Sequence, residues 1–165
     1  MPPLKKLINK LEANGIKYRV VEHRKVYTTF DAAQTQKIKP QTVAKTLLVK
    51  GENSFYLAVI PGHKRLDVAK LKKTLNKYLV QLEKKAVKKI SIANESQIKR
   101  NFTKKTGALA PFGSLYHCQT FIDQSLLKNS KINLNAGSFT DSLEITPAQY
   151  KKFEGPVEGS FSKIK

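Results

Sequence analysis

The sequence predicts an α+β domain built on a mixed, barrel-like sheet with flanking helices. Three observations point there. Short β-rich runs and helical runs are interspersed without the regular alternation of a doubly wound parallel sheet. Two adjacent runs, Val43–Val49 and Phe55–Ile60, are joined by Gly51-Glu52-Asn53-Ser54 and read as a β-hairpin. The 165 residues are 40% hydrophobic and show no repeat, low-complexity tract or linker, which predicts one domain over 1–165 with a real core.

The elements follow in order. Leu4, Leu7, Ile8 and Leu11 recur at helical spacing, with Gly15 placed to stop that helix. Tyr18–Glu22 reads as a strand. Thr28 with Asp31 opens a short helix through Gln36, and Pro40 ends the segment. After the hairpin, Pro61-Gly62 turns the chain into a helix capped near Asp67, with Val68, Leu71, Leu75 and Leu79 as its buried stripe. Glu95–Phe102 is a further short helix. Gly107-Ala108-Leu109-Ala110-Pro111-Phe112-Gly113 fits neither helix nor strand and reads as a loop that lets backbone approach a ligand. Tyr116–Asp123, Ile132–Asn135 and Leu143–Thr146 read as strands, with the turn Ala136-Gly137-Ser138 among them. Thr146-Pro147 supplies an N-cap and an N1 proline for a last helix through Phe153. From Gly155 onward a frayed tail is expected.

Composition narrows the function classes. Thirty-one Lys+Arg against twelve Asp+Glu give a net charge of +19. Fourteen of those basic residues and three of the acidic ones fall between 64 and 105, so the excess is localised. Such a patch suits a polyanion, and nucleic acid is the first candidate. No apolar run approaches a membrane span, no secretory signal is expected because no continuous apolar segment follows the basic residues of Met1–Lys10, and one cysteine, Cys118, excludes an internal disulfide. A cytoplasmic protein is expected. The three histidines and the cysteine show no metal-ligand spacing, and phosphate-loop, dinucleotide and Gly-x-Ser-x-Gly motifs are absent. His117 and Cys118, read as neighbours on a strand, point to opposite faces and make a poor nucleophile pair.

What remains is a lysine on an apolar strand and two Gly-rich loops. By strand alternation Val43, Lys45, Leu47 and Val49 share one face, and Ala44, Thr46 and Leu48 the other. Lys45 must reach water, a carboxylate or a bound anion. Bare backbone N–H groups in the loops can hold a phosphate or a developing oxyanion, and the lysine can add a point charge.

Those stretches carry a resemblance. Val43–Val49 with Leu57–Asp67, the Gly107–Gly113 loop and Ala136–Asp141 stand in the order found in the YbaK/ProXp family, with Glu22-His23 and Thr28 upstream. That family comprises free-standing aminoacyl-tRNA deacylases related to the editing insertion of bacterial prolyl-tRNA synthetase. The resemblance implies a mixed barrel-like sheet of six or seven strands and removal, in trans, of a wrong amino acid from tRNA. It implies catalytic roles for Lys45, Gly107 and Gly137. Phe30, Thr46, Pro111, Ser138 and Asp141 would line the substrate pocket, and Lys70, Lys73, Lys77, Lys84 and Lys88 would grip tRNA. No metal or organic cofactor is implied. The partners are tRNA and, as a docking candidate, a synthetase, with no membrane. Phe139 stands where alanine-removing members often have histidine, and Thr46 where they often have asparagine. Both lean toward the cysteinyl type, and the substrate expected is tRNAPro mischarged with cysteine or alanine. The rival reading is a tRNA-binding or synthetase-associated module that kept the fold without the reaction.

Overall fold

The computed structural model describes residues 3–22, 38–101, 109–136 and 140–165. The described residues form α1 (Pro3–Ala13), β1 (Arg19–Glu22), β2 (Ala44–Gly51), β3 (Ser54–Pro61), β4 (Lys64–Leu66), α2 (Val68–Gln81), β5 (Ile90–Ile92), α3 (Glu95–Asn101), β6 (Gln119–Asp123), β7 (Ile132–Asn135), β8 (Asp141–Ile145), α4 (Pro147–Glu154), β9 (Val157–Gly159) and β10 (Ser162–Ile164). The helix expected at 28–36 lies outside the described residues.

Among the described residues the strands make a five-stranded sheet in the order β5-β2-β3-β6-β9, a three-stranded sheet β1-β8-β7, and the pair β10-β4. A parallel bridge between Val43 and Asn133 ties the five-stranded sheet to the three-stranded one. The α+β, barrel-like expectation holds, although the sheet is split rather than closed and carries more than the six or seven strands expected. The hairpin forms in full: Gly51 pairs with Ser54, and Ala44 with Pro61. β2 is interior, since β5 pairs with its far end through Val49, Lys50 and Gly51.

Local signals explain the helix ends. The Asp67 carboxylate accepts from the Lys70 N–H at 3.2 Å at the start of α2. Asn94 and Gln97 exchange side-chain bonds with each other's N–H groups, both at 2.9 Å, at the start of α3. Thr146 caps α4 ahead of Pro147, and Gly155 ends it at φ 60°.

The five-stranded sheet has a core on each face. Leu71, Leu75 and Leu79 of α2 bury against Val49, Ala58, Ile60, Phe121 and Phe161. The opposite face places Ala44, Val59 and Ile122 with Leu7 and Leu11 of α1, Phe112, and Tyr150 of α4.

Two expectations fail. The stretch after Gly155 is no frayed tail: β9 pairs in parallel with β6, β10 pairs antiparallel with β4, and Phe161 is fully buried. Three-residue strands carry no readable periodicity, so nothing local announces them. The strand expected at Tyr116–Asp123 starts only at Gln119, because His117 takes φ 59° in a turn.

Candidate active site

The site is built at an interruption in the outer edge of β2. Val43 bridges to β7, and Ala93 N–H donates to Leu48 O at 2.8 Å where β5 begins its pairing. Between these attachments Lys45, Thr46 and Leu47 have no ladder partner on that edge among the described residues.

Lys45 pairs with Ile60 across the hairpin and so lies on the α2 face. It is half-buried. No carboxylate lies within ion-pair distance of it among the described residues, where the pairs are Arg19–Glu144, Lys131–Glu144 and Lys151–Glu158. Desolvation, followed by repulsion from Lys165, holds its ammonium below the ordinary lysine range. Lys165 follows β10, whose Ile164 pairs with Lys64. His63, beside that pair, is likewise held below the usual imidazole value, by desolvation first and then by Lys64 and Lys165. The Lys45 end of the hairpin is therefore a cationic corner suited to an anion or a carbonyl oxygen.

Thr46 pairs with Val59 and lies on the other face, toward Ala110 and Phe112. Lys45 and Thr46 thus straddle the same open edge. Pro111 is buried, and its carbonyl accepts from the buried Tyr150 hydroxyl. Gly113 N–H donates to Thr120 Oγ1 at 2.8 Å, and Thr120 donates on to Glu154 at 2.9 Å. Glu154 also accepts from the Ser114 N–H and hydroxyl at 3.1 and 2.9 Å. Desolvation raises the Glu154 carboxyl against the pull of those bonds. This network, which sequence reading did not foresee, fixes the 109–115 segment to α4. Asp141 opens β8 opposite Glu22 and takes a bond from the Thr140 hydroxyl at 3.3 Å. Phe30, Gly107, Gly137, Ser138 and Phe139 lie outside the described residues.

Lys70, Lys73, Lys77, Lys84 and Lys88 are all exposed. The first three fall on one stripe of α2, opposite its leucines. Lys84 and Lys88 follow beyond the helix end, their N–H groups donating to Leu79 O and Glu52 at 2.8 and 2.9 Å. Burial, followed by the Glu154 carboxylate, pushes the Cys118 thiol up to about 12, which disfavours the thiolate. The expectation that His117 and Cys118 diverge on a strand is replaced by their place in a turn.

The sequence model of the aminoacyl-tRNA editing domain matches residues 23–153, most of the chain. The chain belongs to the aminoacyl-tRNA editing family. This is the YbaK/ProXp-like group to which the three sequence blocks pointed. The editing domain is 30% identical over 88 residues to the proline–tRNA ligase of Fervidobacterium nodosum; the match takes in 53% of the chain and 14% of the ligase. The chain therefore spans a small part of that relative's length. Its fold resembles the crystal structure of the hypothetical protein APE2540, with TM-score 0.81, 22% identity and coverage of 96% of this chain and 99% of that one. It also resembles a candidate trans-editing enzyme for prolyl-tRNA synthetase, with TM-score 0.78, 20% identity and coverage of 99% and 98%. No described helix is long and apolar enough to cross a membrane.

Proposed function

We propose that this editing domain is an aminoacyl-tRNA deacylase acting in trans, a hydrolase that removes a wrong amino acid from tRNA, with tRNAPro carrying cysteine or alanine as its substrate. The observation that carries the reading is Lys45, a half-buried cation without a carboxylate partner among the described residues, at the open edge of β2. A cation kept that way is suited to a partner that arrives from outside.

The reaction needs little acid–base machinery, because the ester is already activated. Water adds to the carbonyl carbon, the bond to the ribose oxygen breaks, and the amino acid leaves as its carboxylic acid while the ribose hydroxyl regains a proton. Lys45 supplies charge beside the carbonyl oxygen or the terminal phosphate. Backbone N–H groups at Gly107 and Gly137 complete the electrostatic support. Phe30, Thr46, Pro111, Ser138 and Asp141 shape the pocket. Lys70, Lys73, Lys77, Lys84 and Lys88 hold the tRNA backbone. Residues 1–165 act as one editing unit in the cytoplasm, and a synthetase is a candidate docking partner.

The test is a deacylation panel: tRNAPro charged with proline, alanine or cysteine, together with seryl- and alanyl-tRNA. Turnover of Cys- or Ala-tRNAPro that spares Pro-tRNAPro is expected. Tight tRNA binding with no turnover of any substrate would overturn the deacylase reading in favour of a binding module.

A further inference from the structure

A second concavity lies at the other end of the hairpin. A groove of about 730 Å³ opens where the C-terminal end of α2 meets the start of β3 and the turn before β6. Phe55, Tyr56, Tyr78 and Tyr116 are among the residues that line it, on the two sides of the start of β3, together with Gln119, His117 and Lys84. Among the described residues that line it, Lys84 alone carries a formal charge, with the Glu154 carboxylate held by Ser114 at the rim.

Its polar groups are held in place. The Tyr78 hydroxyl donates to Gln119 Oε1 at 3.2 Å, while Gln119 Nε2 donates to the carbonyls of Thr120 and Gly155 at 3.1 and 3.3 Å. The amide is therefore fixed in one orientation, and its oxygen keeps a lone pair for another donor. The Tyr116 hydroxyl accepts from the Ala110 N–H at 3.1 Å, which anchors that ring. His117 is exposed and sits at φ 59°, a left-handed position that an L-residue takes only when its surroundings hold it there.

Rings, an oriented amide acceptor and one ammonium match a planar base with an exocyclic amino group and a neighbouring phosphate. We infer that this groove is a nucleobase subsite for the unpaired 3′ strand of tRNA, an assignment of RNA type that rests on the tRNA reading above. Its position agrees. Tyr56, at the groove, is four residues along β3 from Ile60, the partner of Lys45. At strand rise that is about 13 Å, or about four stacked nucleotide steps. With the terminal ester at Lys45, the groove takes a base near the point where the strand joins the acceptor stem.

The chain has three histidines, so the imidazole proton resonances report binding site by site. The 165-residue chain is titrated with the single-stranded RNA tetranucleotide ACCA, with inorganic pyrophosphate as a charge control and His117→Ala for assignment. The tetranucleotide is expected to shift the His117 resonance saturably and pyrophosphate is not. Lys84→Ala is expected to weaken tetranucleotide binding several-fold and lower its salt slope by about 0.7. Movement of His63 alone, or an equal His117 response to pyrophosphate, overturns the subsite. Deacylation by the same preparation is read separately. A silent groove with intact turnover removes the subsite and leaves the deacylase, and a responsive groove without turnover does the reverse.

Discussion

The carboxylate of Asp123 accepts the Phe161 N–H at 2.7 Å across 38 residues of chain. It also accepts the Ser162 N–H and hydroxyl at 3.0 and 2.9 Å, and the Ser125 N–H and hydroxyl. One buried acid at the end of β6 thus clamps the C-terminal segment that brings Lys165 to Lys45. Desolvation alone would raise the Asp123 pKa, and the several hydrogen bonds outweigh it and lower it.

Asp123→Ala should therefore cost about 3 kcal/mol, since buried N–H groups of Phe161 and Ser162 lose a charged acceptor. The pH dependence has a fixed sign. A carboxylate with a depressed folded pKa contributes stability that is present above its unfolded value, near 3.9, and is lost as pH falls through the folded one. Urea midpoints measured down an acid series should fall for the wild type and converge on those of Asp123→Ala. A midpoint difference that stays constant through the acid range would remove Asp123 from this role.

Gly113 is where the loop meets β6 most closely. A Cβ there would collide with the Cys118 carbonyl and Thr120 Oγ1, the acceptor of the Gly113 N–H. Backbone cannot yield as a flexible side-chain tip does, so Gly113→Ala should cost at least about 1–3 kcal/mol. Chemical denaturation checks the cost. Wild-type stability in Gly113→Ala would show that the segment relaxes freely.

The α2 stripe can be tested by charge removal. Replacing Lys70, Lys73, Lys77, Lys84 and Lys88 together should weaken tRNA binding across sequences. For each contact to duplex phosphate, the slope of log K against log salt should fall by about 0.9. Turnover at saturating tRNA should persist. An unchanged slope in the five-fold variant would leave these lysines as solvated surface.

Much of the scaffold was legible because its signals are local. Asp67, Thr146-Pro147 and Gly15 each act within a few residues, and the leucines of α2 repeat at helical spacing. The strand parity that isolates Lys45 was equally readable. The C-terminal strands were not, because each spans three residues and their anchor, Asp123, is remote in sequence. Nor was the left-handed turn at His117, which starts β6 late and opens the groove beside it. The meeting of Gly113, Ser114 and Thr120 on Glu154 depends on packing between α4 and the loop, which no spacing encodes.

The last prediction separates enzyme from scaffold at Lys45. The fold holds this ammonium below its ordinary pKa, through desolvation and then Lys165, so the folded state disfavours its charge. For a lysine shifted in this direction the unfolded chain binds more protons between the two pKa values. Wild-type stability should then rise as pH climbs from the depressed folded value to the unfolded one near 10.4. Lys45→Ala should lack that rise and should melt no lower than the wild type at neutral pH. Had Lys45 paired with an internal carboxylate, its removal would strand a charge and cost several kcal/mol. With tRNA held by the distant α2 stripe, Lys45→Ala should bind tRNA nearly as before and lose most single-turnover deacylation. Lys45→Arg should fail as well, because a planar guanidinium does not replace a compact ammonium in a confined corner. Melting temperature, tRNA affinity and single-turnover rate on both variants make the test. Full activity in Lys45→Ala would refute the catalytic role, and a collapsed melting temperature would make the lysine a structural element of β2.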